Sequence, residues 1–430
     1  MADLPSHPSS LEARAYRRVT LRLIPFLFLC YVVAYLDRVN VGFAKLQMLD
    51  DLRMSETAYG LGAGIFFIGY FLFEVPSNLI MHRTGARVWI ARIMITWGVL
   101  SAATMFVTGA GTFYIIRFLL GVAEAGFFPG IILYLTQWYP SSRRARILAL
   151  FMTAVAISGV IGGPVSGWIL QRMAGVNGWA GWQWLFLLEG IPSLVMGVAV
   201  YFYLDDSIAA ARWLPPDERQ LLEAQLQAEA DGVEHRSVIA TLTNPRVVLL
   251  AALYFCIVMG LYGIAFWLPQ LIRTMGVDDT NRIGVLSAVP YGVAALAMVL
   301  MGRSSDARGE RRWHLVAGSL AAAIGLVVAG AYGKQLMIGL PAITLATCGV
   351  LAVAPLFWTL PTALLRGASA AAGIAVINSI GNLAGFLSPY LIGLARDLTG
   401  QSTFGLYAIA LFMLTGASLS IVATRPVTRR

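Results

Sequence analysis

Six ionisable residues stand inside otherwise apolar stretches of this 430-residue chain: Asp37, Arg38, Glu74, Arg117, Glu124 and Glu189, all in its first half. A charge held in hydrocarbon costs from about 2.5 to more than 10 kcal/mol, so such groups persist where they pair, take up a proton or bind a ligand. Arginine suits carboxylates because its planar fork meets both oxygens and keeps its charge. On an α-helix Arg117, Gly121, Glu124 and Phe128 share one stripe, with Arg117 and Glu124 about 10 Å apart along the axis. Gly121 is expected to open space between them. Tyr35 and Arg38 share a face by their spacing of three, while Asp37 turns towards a neighbouring helix. Two cations facing one cavity predict an anionic ligand. Burial disfavours a charged carboxylate and a nearby guanidinium favours it, so arrival of an anion can move a proton. Glu124 is the first candidate to carry that proton and Asp37 the second. The competing reading is that Asp37 with Arg38, or Arg117 with Glu124, forms a structural ion pair.

Neutral groups extend the candidate site. Tyr70 lies one turn from Glu74, and Asn378 and Asn382 lie one turn apart and are expected to face inwards. Tyr254, Tyr262, Trp267 and Gln270 fall in one stretch and Trp358 in another. The assignment to ligand contact covers Arg38, Arg117, Tyr35, Tyr70, Asn378, Asn382, Trp358 and Gln270. Helix bridging by the Asn pair, and interfacial anchoring by the aromatic residues, are the alternatives. Glu74 is assigned to a gate, and Glu189, which precedes Pro192, to packing or capping.

The elements that position these residues are membrane helices. Hydrophobic residues make up 58% of the chain and charged residues 12%, against about 25% charged in a soluble domain. A spanning helix needs about 20 mostly apolar residues. Twelve such stretches are expected, at 20–43, 57–80, 88–108, 111–138, 146–171, 182–204, 247–271, 282–303, 313–331, 335–358, 369–396 and 402–424. Trp138, Trp182, Trp184, Trp267 and Trp358 near their ends read as interfacial belts. The fold class is therefore an all-α integral membrane protein, with six-helix halves at 1–204 and 247–430. The linker at 205–246 reads as a tether with one surface helix.

Arginine placement predicts the topology, because cytoplasmic loops are enriched in Lys and Arg. One set of loops holds Arg14, Arg17, Arg18 and Arg22, then Arg83 and Arg87, Arg143, Arg144 and Arg146, Arg303, Arg308, Arg311 and Arg312, Arg366, and Arg425, Arg429 and Arg430. The opposite set holds little beyond Lys45, Lys334 and scattered Arg residues near helix ends, so both termini are expected in the cytoplasm. The net charge of +9 is a topology signal and calls for no nucleic-acid partner. No cleavable signal peptide is expected. Cys30, Cys256 and Cys348 lie in apolar spans and read as packing. His7, His82, His235 and His314 lie in tails or loops, so no metal site, cofactor or enzymatic constellation is expected.

The halves echo one another. Gly302-Arg303-Ser304-Ser305-Asp306 through Arg312 forms a basic turn after the eighth span, and Asn78 through Arg87 occupies the same place after the second. Gly159, Gly163, Pro164 and Gly167 in the fifth span pair with Gly381, Gly385, Pro389 and Gly393 in the eleventh, small residues that let helices approach closely. Parallel repeats mark transporters that rock two halves about a central site.

This architecture and its basic turn resemble the major facilitator superfamily. The blocks Tyr35-Leu36-Asp37-Arg38-Val39-Asn40, Phe66 through Tyr70 with Glu74 through Asn78, Arg117 with Gly121 through Gly126, and Trp182 through Gly190 are similar to the anion:cation symporter branch, within it most to bacterial tartrate and phthalate permeases. The resemblance implies a monomeric, inner-membrane permease, embedded in the lipid bilayer, that takes up a small organic anion such as tartrate, phthalate or a sugar acid together with protons. Arg38 and Arg117 would hold substrate and the nearby carboxylates would carry protons. Gating falls to Glu74, Arg83, Arg87, Asp306 and Arg312. His82 stands where the superfamily's first basic turn usually has an acid, so pairing there must use other groups. A drug/proton antiporter is the nearest rival, since Gly162-Gly163-Pro164 partly resembles an antiporter motif. A membrane nutrient sensor is the rival outside transport.

Overall fold

The computed structural model describes residues 10–230, 244–364 and 368–424, and all their regular structure is helical. Arg366, Arg425, Arg429, Arg430, His7 and His235 lie outside the described residues, as do the linker residues 231–243 and the side chain of Arg146. Among the described residues twelve helices are long and apolar enough to cross a bilayer: Leu11–Asp51, Glu56–Thr84, Ala86–Phe106, Ala110–Thr136, Leu150–Arg172, Gly181–Tyr203, Pro245–Thr274, Thr280–Arg308, Arg312–Tyr332, Leu336–Pro361, Gly373–Thr399 and Thr403–Ala423. They are numbered here as spans one to twelve. The even number of crossings puts Ser10 and Thr424 on one face, the terminal face, and leaves the opposite one as the far face.

Several spans outrun their apolar segments because polar partners hold their ends. Span one was expected at 20–43 and runs to Asp51, carrying Lys45 into the protein at 2% exposure. The count of two buried cations is thereby corrected. At its other end Arg18 pairs with Glu218 at 3.0 Å and the Tyr16 hydroxyl donates to Gln225 at 2.7 Å. These bonds, with Leu222 fully buried, dock the linker helix Pro216–Ala230 against the first half.

Four spans are interrupted in regions the sequence reads as continuous. Span one breaks at Asn40, the chain of the fifth at Thr153 and span eleven at Leu383. Span four breaks at Ala125 and Gly126, where Gly126 has φ +88°, a conformation that L side chains rarely adopt. A Cβ there would also meet the Ser77 hydroxyl at 2.4 Å. Helix Ala110–Glu124 therefore ends on Glu124 itself.

The two halves meet along two seams, span five against span eight and span two against span eleven. Paired small residues set the first seam. A Cβ on Gly284 would lie 2.3 Å from the Gly163 carbonyl oxygen, and one on Gly163 would lie 2.5 Å from that of Gly284. In the second seam a Cβ on Gly393 would lie 2.3 Å from the Glu56 carbonyl oxygen. Both tight crossings stand towards the far face.

The expected aromatic belts are corrected at four of the five tryptophans, Trp184 alone staying partly exposed. Trp138, Trp182, Trp267 and Trp358 are all at least 97% buried and pack between helices. Trp138 stacks on Trp213, and Trp267 lies 3.3 Å beneath the Lys45 ammonium. In the first basic turn the acid missing at His82 is supplied from the linker: Asp206 accepts from the Arg87 amide at 2.8 Å.

Candidate functional site

Arg38 sits in the last turn before the span-one break, and its guanidinium is divided between the halves. One nitrogen, Nη2, pairs with Glu124 Oε1 of span four, and the other, Nη1, donates to the Tyr262 hydroxyl of span seven at 2.8 Å. Phe66 and Tyr70 of span two present their rings to it at 5.6 and 5.5 Å. Such faces attract cations and shield them from competing water.

Arg117 is fully buried and faces the same Phe66 ring at 5.0 Å. Its Nη2 donates to the Ala63 carbonyl at 3.3 Å, while Nε and Nη1 find no acceptor among the described residues. Arg38 Nε, Glu124 Oε2 and the Tyr35 hydroxyl are likewise buried and, among the described residues, unpartnered. An unmet buried polar group costs about 1–3 kcal/mol, more when charged. The arrangement thus holds donors and an acceptor in reserve around one ion pair.

Neither of the structural ion pairs considered from the sequence forms. Asp37 turns away from Arg38 and accepts from Trp97 Nε1 at 2.9 Å, from Ser101 Oγ at 2.7 Å and from Ser193 Oγ. Glu124 pairs with Arg38 instead of Arg117. Gly121 also differs from expectation. A Cβ there would lie 1.9 Å from the Phe66 carbonyl oxygen, so this glycine brings spans two and four into backbone contact and opens no cavity.

Glu74 bridges the halves on the terminal side of this cluster. Its carboxyl accepts from Asn378 Nδ2 at 2.8 Å and from Ser379 Oγ at 2.7 Å, both in span eleven. Asn378 therefore serves Glu74, while Asn382 is buried one turn on, at the helix end beside the span-eleven break. Trp358 packs edge-on against Tyr254, centroids 4.8 Å apart, in the second half. Among the basic-turn groups Arg83 is exposed, Arg87 lies by Asp206, Asp306 pairs with Arg311, and Arg312 bonds the Thr424 hydroxyl and carbonyl at 2.9 Å. These contacts stay within one half and its attached linker.

Gln270 requires a correction. It lies two turns beyond Tyr262 in span seven, and the amide orientation that satisfies its neighbours turns its oxygen to Arg396, at 3.0 and 3.1 Å. Arg396 Nε pairs with Glu56 Oε1 at 2.9 Å, and Glu56 Oε2 with Lys45 Nζ at 2.5 Å. Asp397 accepts from the amides of Glu56 and Thr57 at 3.1 and 2.8 Å. Arg273 donates to the Leu46 carbonyl at 2.7 Å, and Gln171 to Asp279 at 2.7 Å. This far-face network ties spans one and two to seven and eleven. Sequence reasoning missed it because Lys45, Glu56 and Arg396 stand at span ends and read as loop charges.

These bonds and the glycine seams close the far face over the buried arginines. The cluster is an electropositive fork with one acid, enclosed by two halves that touch it from either side. The profile of the Major Facilitator Superfamily matches residues 27–389 of the sequence. This protein belongs to that superfamily. Its members' relatedness here extends over nearly the whole chain: a protein of Agrobacterium vitis named "Putative tartrate transporter" is 50% identical over 97% of this chain and 93% of its own length. A protein of Acinetobacter baumannii named "Quinolone resistance transporter" is 41% identical over 97% of both. The fold of this superfamily member is also similar to the inward open xylose transporter XylE from E. coli, with TM-score 0.75 at 14% identity, covering 95% of this chain and 97% of that one. The chain is a transporter, and no enzymatic role is needed to account for it.

Proposed function

We propose that this superfamily member takes up a small organic carboxylate together with protons across the bacterial inner membrane, as a monomer, by alternating access. The observation that carries the reading is Arg117, fully buried beside the Arg38–Glu124 pair with two guanidinium donors unmet among the described residues. A carboxylate seated between the two arginines meets those donors and competes with Glu124 for Arg38. Glu124 then holds a proton in place of its lost partner, which couples anion to proton. The name of the A. vitis relative supports tartrate as the first substrate to try. Arginine-rich loops on the terminal face support a cytoplasmic location for it.

In this reading the described conformation is closed to the outside by the Lys45–Glu56–Arg396 network and held on the cytoplasmic side by Glu74 with Asn378. Release to the cytoplasm parts Glu74 from span eleven, and return to the outside parts Arg396 from Glu56. The antiporter reading draws on the A. baumannii relative's name; a quinolone itself carries a carboxylate, so the two buried arginines disfavour only a purely cationic cargo.

Uptake of labelled tartrate, phthalate and a sugar acid into energised vesicles tests the proposal. Accumulation that follows an inward proton gradient and collapses with a protonophore is the expected result. Accumulation that follows a sodium gradient at fixed pH, or transport of organic cations alone, would overturn it.

A further inference from the structure

Lys45, Glu56 and Arg396 repeat on the far face the charge pattern of the centre, two cations around one acid. The Glu56 carboxylate gives one oxygen to each cation, Oε1 to Arg396 Nε at 2.9 Å and Oε2 to Lys45 Nζ at 2.5 Å. Two cations that converge on the two oxygens of one carboxylate make a carboxylate site, filled here by a side chain of the protein itself.

Both cations have seats that do not depend on Glu56. The Lys45 ammonium lies over Trp267 and Tyr59, at 3.3 and 4.9 Å from the ring centroids, and such faces hold a desolvated cation. Arg396 directs Nη2 and Nη1 to the Gln270 oxygen at 3.0 and 3.1 Å. Trp267 and Gln270 are three residues apart in span seven and share a face, so one helix seats both cations. Glu56 differs, because its backbone is held separately from its carboxylate. Asp397 accepts from the amides of Glu56 and Thr57 at 3.1 and 2.8 Å, and Ser55 Oγ accepts from the Ala58 amide at 3.1 Å. The side chain can therefore leave while the start of span two stays in place. The Glu56 and Arg396 side chains are 17% and 20% exposed, whereas that of Lys45 is wholly covered. A solute on the far side meets Arg396 and Glu56 first, and Lys45 once Glu56 has moved. Lys45, Arg396 and Arg273 outnumber Glu56 and Asp397 around this point, which favours the approach of anions.

We propose that Lys45 and Arg396 form an outer binding site for a carboxylate of the cargo, with Glu56 as a tethered competitor that fills the site until the anion displaces it. This rests on the carboxylate-uptake reading above. An anion arriving at the far face takes the place of Glu56 between the two cations, and the Glu56 side chain swings to solvent. Span two thereby loses its side-chain tie to spans one and eleven, so the cargo loosens the lock that stands before it. A tethered group competes at an effective concentration of about a millimolar when its tether is short and flexible. The site is accordingly weak, which suits a station that passes cargo on to Arg38 and Arg117.

Equilibrium dialysis of purified full-length protein against labelled tartrate and phthalate, at fixed pH and ionic strength, tests the site in an Arg117→Ala background that disables the centre. Arg117→Ala alone should bind with a dissociation constant of about a millimolar or weaker. Adding Glu56→Gln removes the competitor and should tighten binding about tenfold or more, since the site is then free in every molecule. Adding Lys45→Met or Arg396→Gln to that pair should abolish the gain. Unchanged affinity on adding Glu56→Gln, or a gain that survives both Lys45→Met and Arg396→Gln, would overturn the proposal. If Glu56→Gln fails to fold, Glu56→Asp replaces it: the charge is kept but the shorter side chain cannot bridge both cations, so binding should again tighten, and unchanged affinity overturns the proposal equally. Wild-type vesicles that take up no carboxylate would instead sink the transport reading, while dialysis would still decide whether Lys45 and Arg396 bind one.

Discussion

Arg38 and Tyr262 are joined across the two halves by a hydrogen bond of 2.8 Å from the same guanidinium that pairs with Glu124. The ion pair of the first half is thereby linked to the second half by a single donor. Whatever draws Arg38 away from Glu124 also changes the geometry of its bond to span seven. In the reading proposed above, substrate and proton state would act through this bond on how the halves sit.

Removing that hydroxyl tests the link. Tyr262→Phe keeps the ring, which packs 4.4 Å from Phe67, and loses only the bond. A hydrogen bond to a charged group contributes about 1.5–3 kcal/mol, so turnover should fall about tenfold or more while tartrate affinity of the purified protein changes little. Parallel loss of affinity and turnover would show that the hydroxyl serves binding alone.

Arg117→Ala and Arg38→Ala should each abolish uptake in protein that still inserts and is recovered monodisperse. Loss of one charge leaves a carboxylate unpaired in a poorly solvated site, a penalty of about 3–5 kcal/mol. Arg117→Lys should recover little, because an ammonium cannot reproduce the fork. Normal uptake by either alanine variant would remove that arginine from the substrate site.

Glu124→Gln mimics the protonated acid. Tartrate exchange at equal pH should survive, and accumulation against a gradient should be lost. A variant that still concentrates substrate in response to pH would move the proton site to Asp37. Failure to bind at all would make Glu124 a support for Arg38 only.

The far-face network should act as a lock. In a background with Cys30, Cys256 and Cys348 replaced by Ser, Ser287→Cys places a thiol in the seam between spans five and eight, at a residue that is 1% exposed. Adding Glu56→Gln deprives Lys45 and Arg396 of their shared partner, and labelling by a membrane-impermeant thiol reagent should rise about tenfold or more. Unchanged labelling would mean that packing alone holds this face shut.

Much of this was readable from cost. Arg38, Arg117, Glu124 and Glu74 stand out because a charge in an apolar run is expensive wherever the helix turns, and the structure brings the first three into one cluster. The twelve spans were legible for the same reason, as length and apolarity set them. Rotation and depth were not. Gln270 shares a span with Tyr262 yet sits two turns away against Arg396, and only the packing of span seven reveals which residue reaches the centre. Gly121 lies on the stripe between Arg117 and Glu124, but the same missing side chain that suggests an opening equally admits a neighbouring backbone, here that of Phe66. Lys45 was hidden because a helix end carried past its apolar core looks like a loop in the sequence. The break after Glu124 had a local sign, Gly126 with Pro129 and Gly130 close behind, that periodicity alone does not weigh.

The contact of Gly163 with Gly284 is backbone against backbone, with the small Ser287 side chain beside it and the Tyr291 ring one turn away over Gly159. At the glycine pair itself such a joint has no ratchet: the two backbones can part and re-form with few rotamers to clear, which suits a surface that separates in an alternating cycle. It also makes the resting preference of the whole molecule sensitive to one methyl group. Alanine at either position should act as a wedge on the far side, and in the reading proposed above it offers a way to hold that face open for structural work.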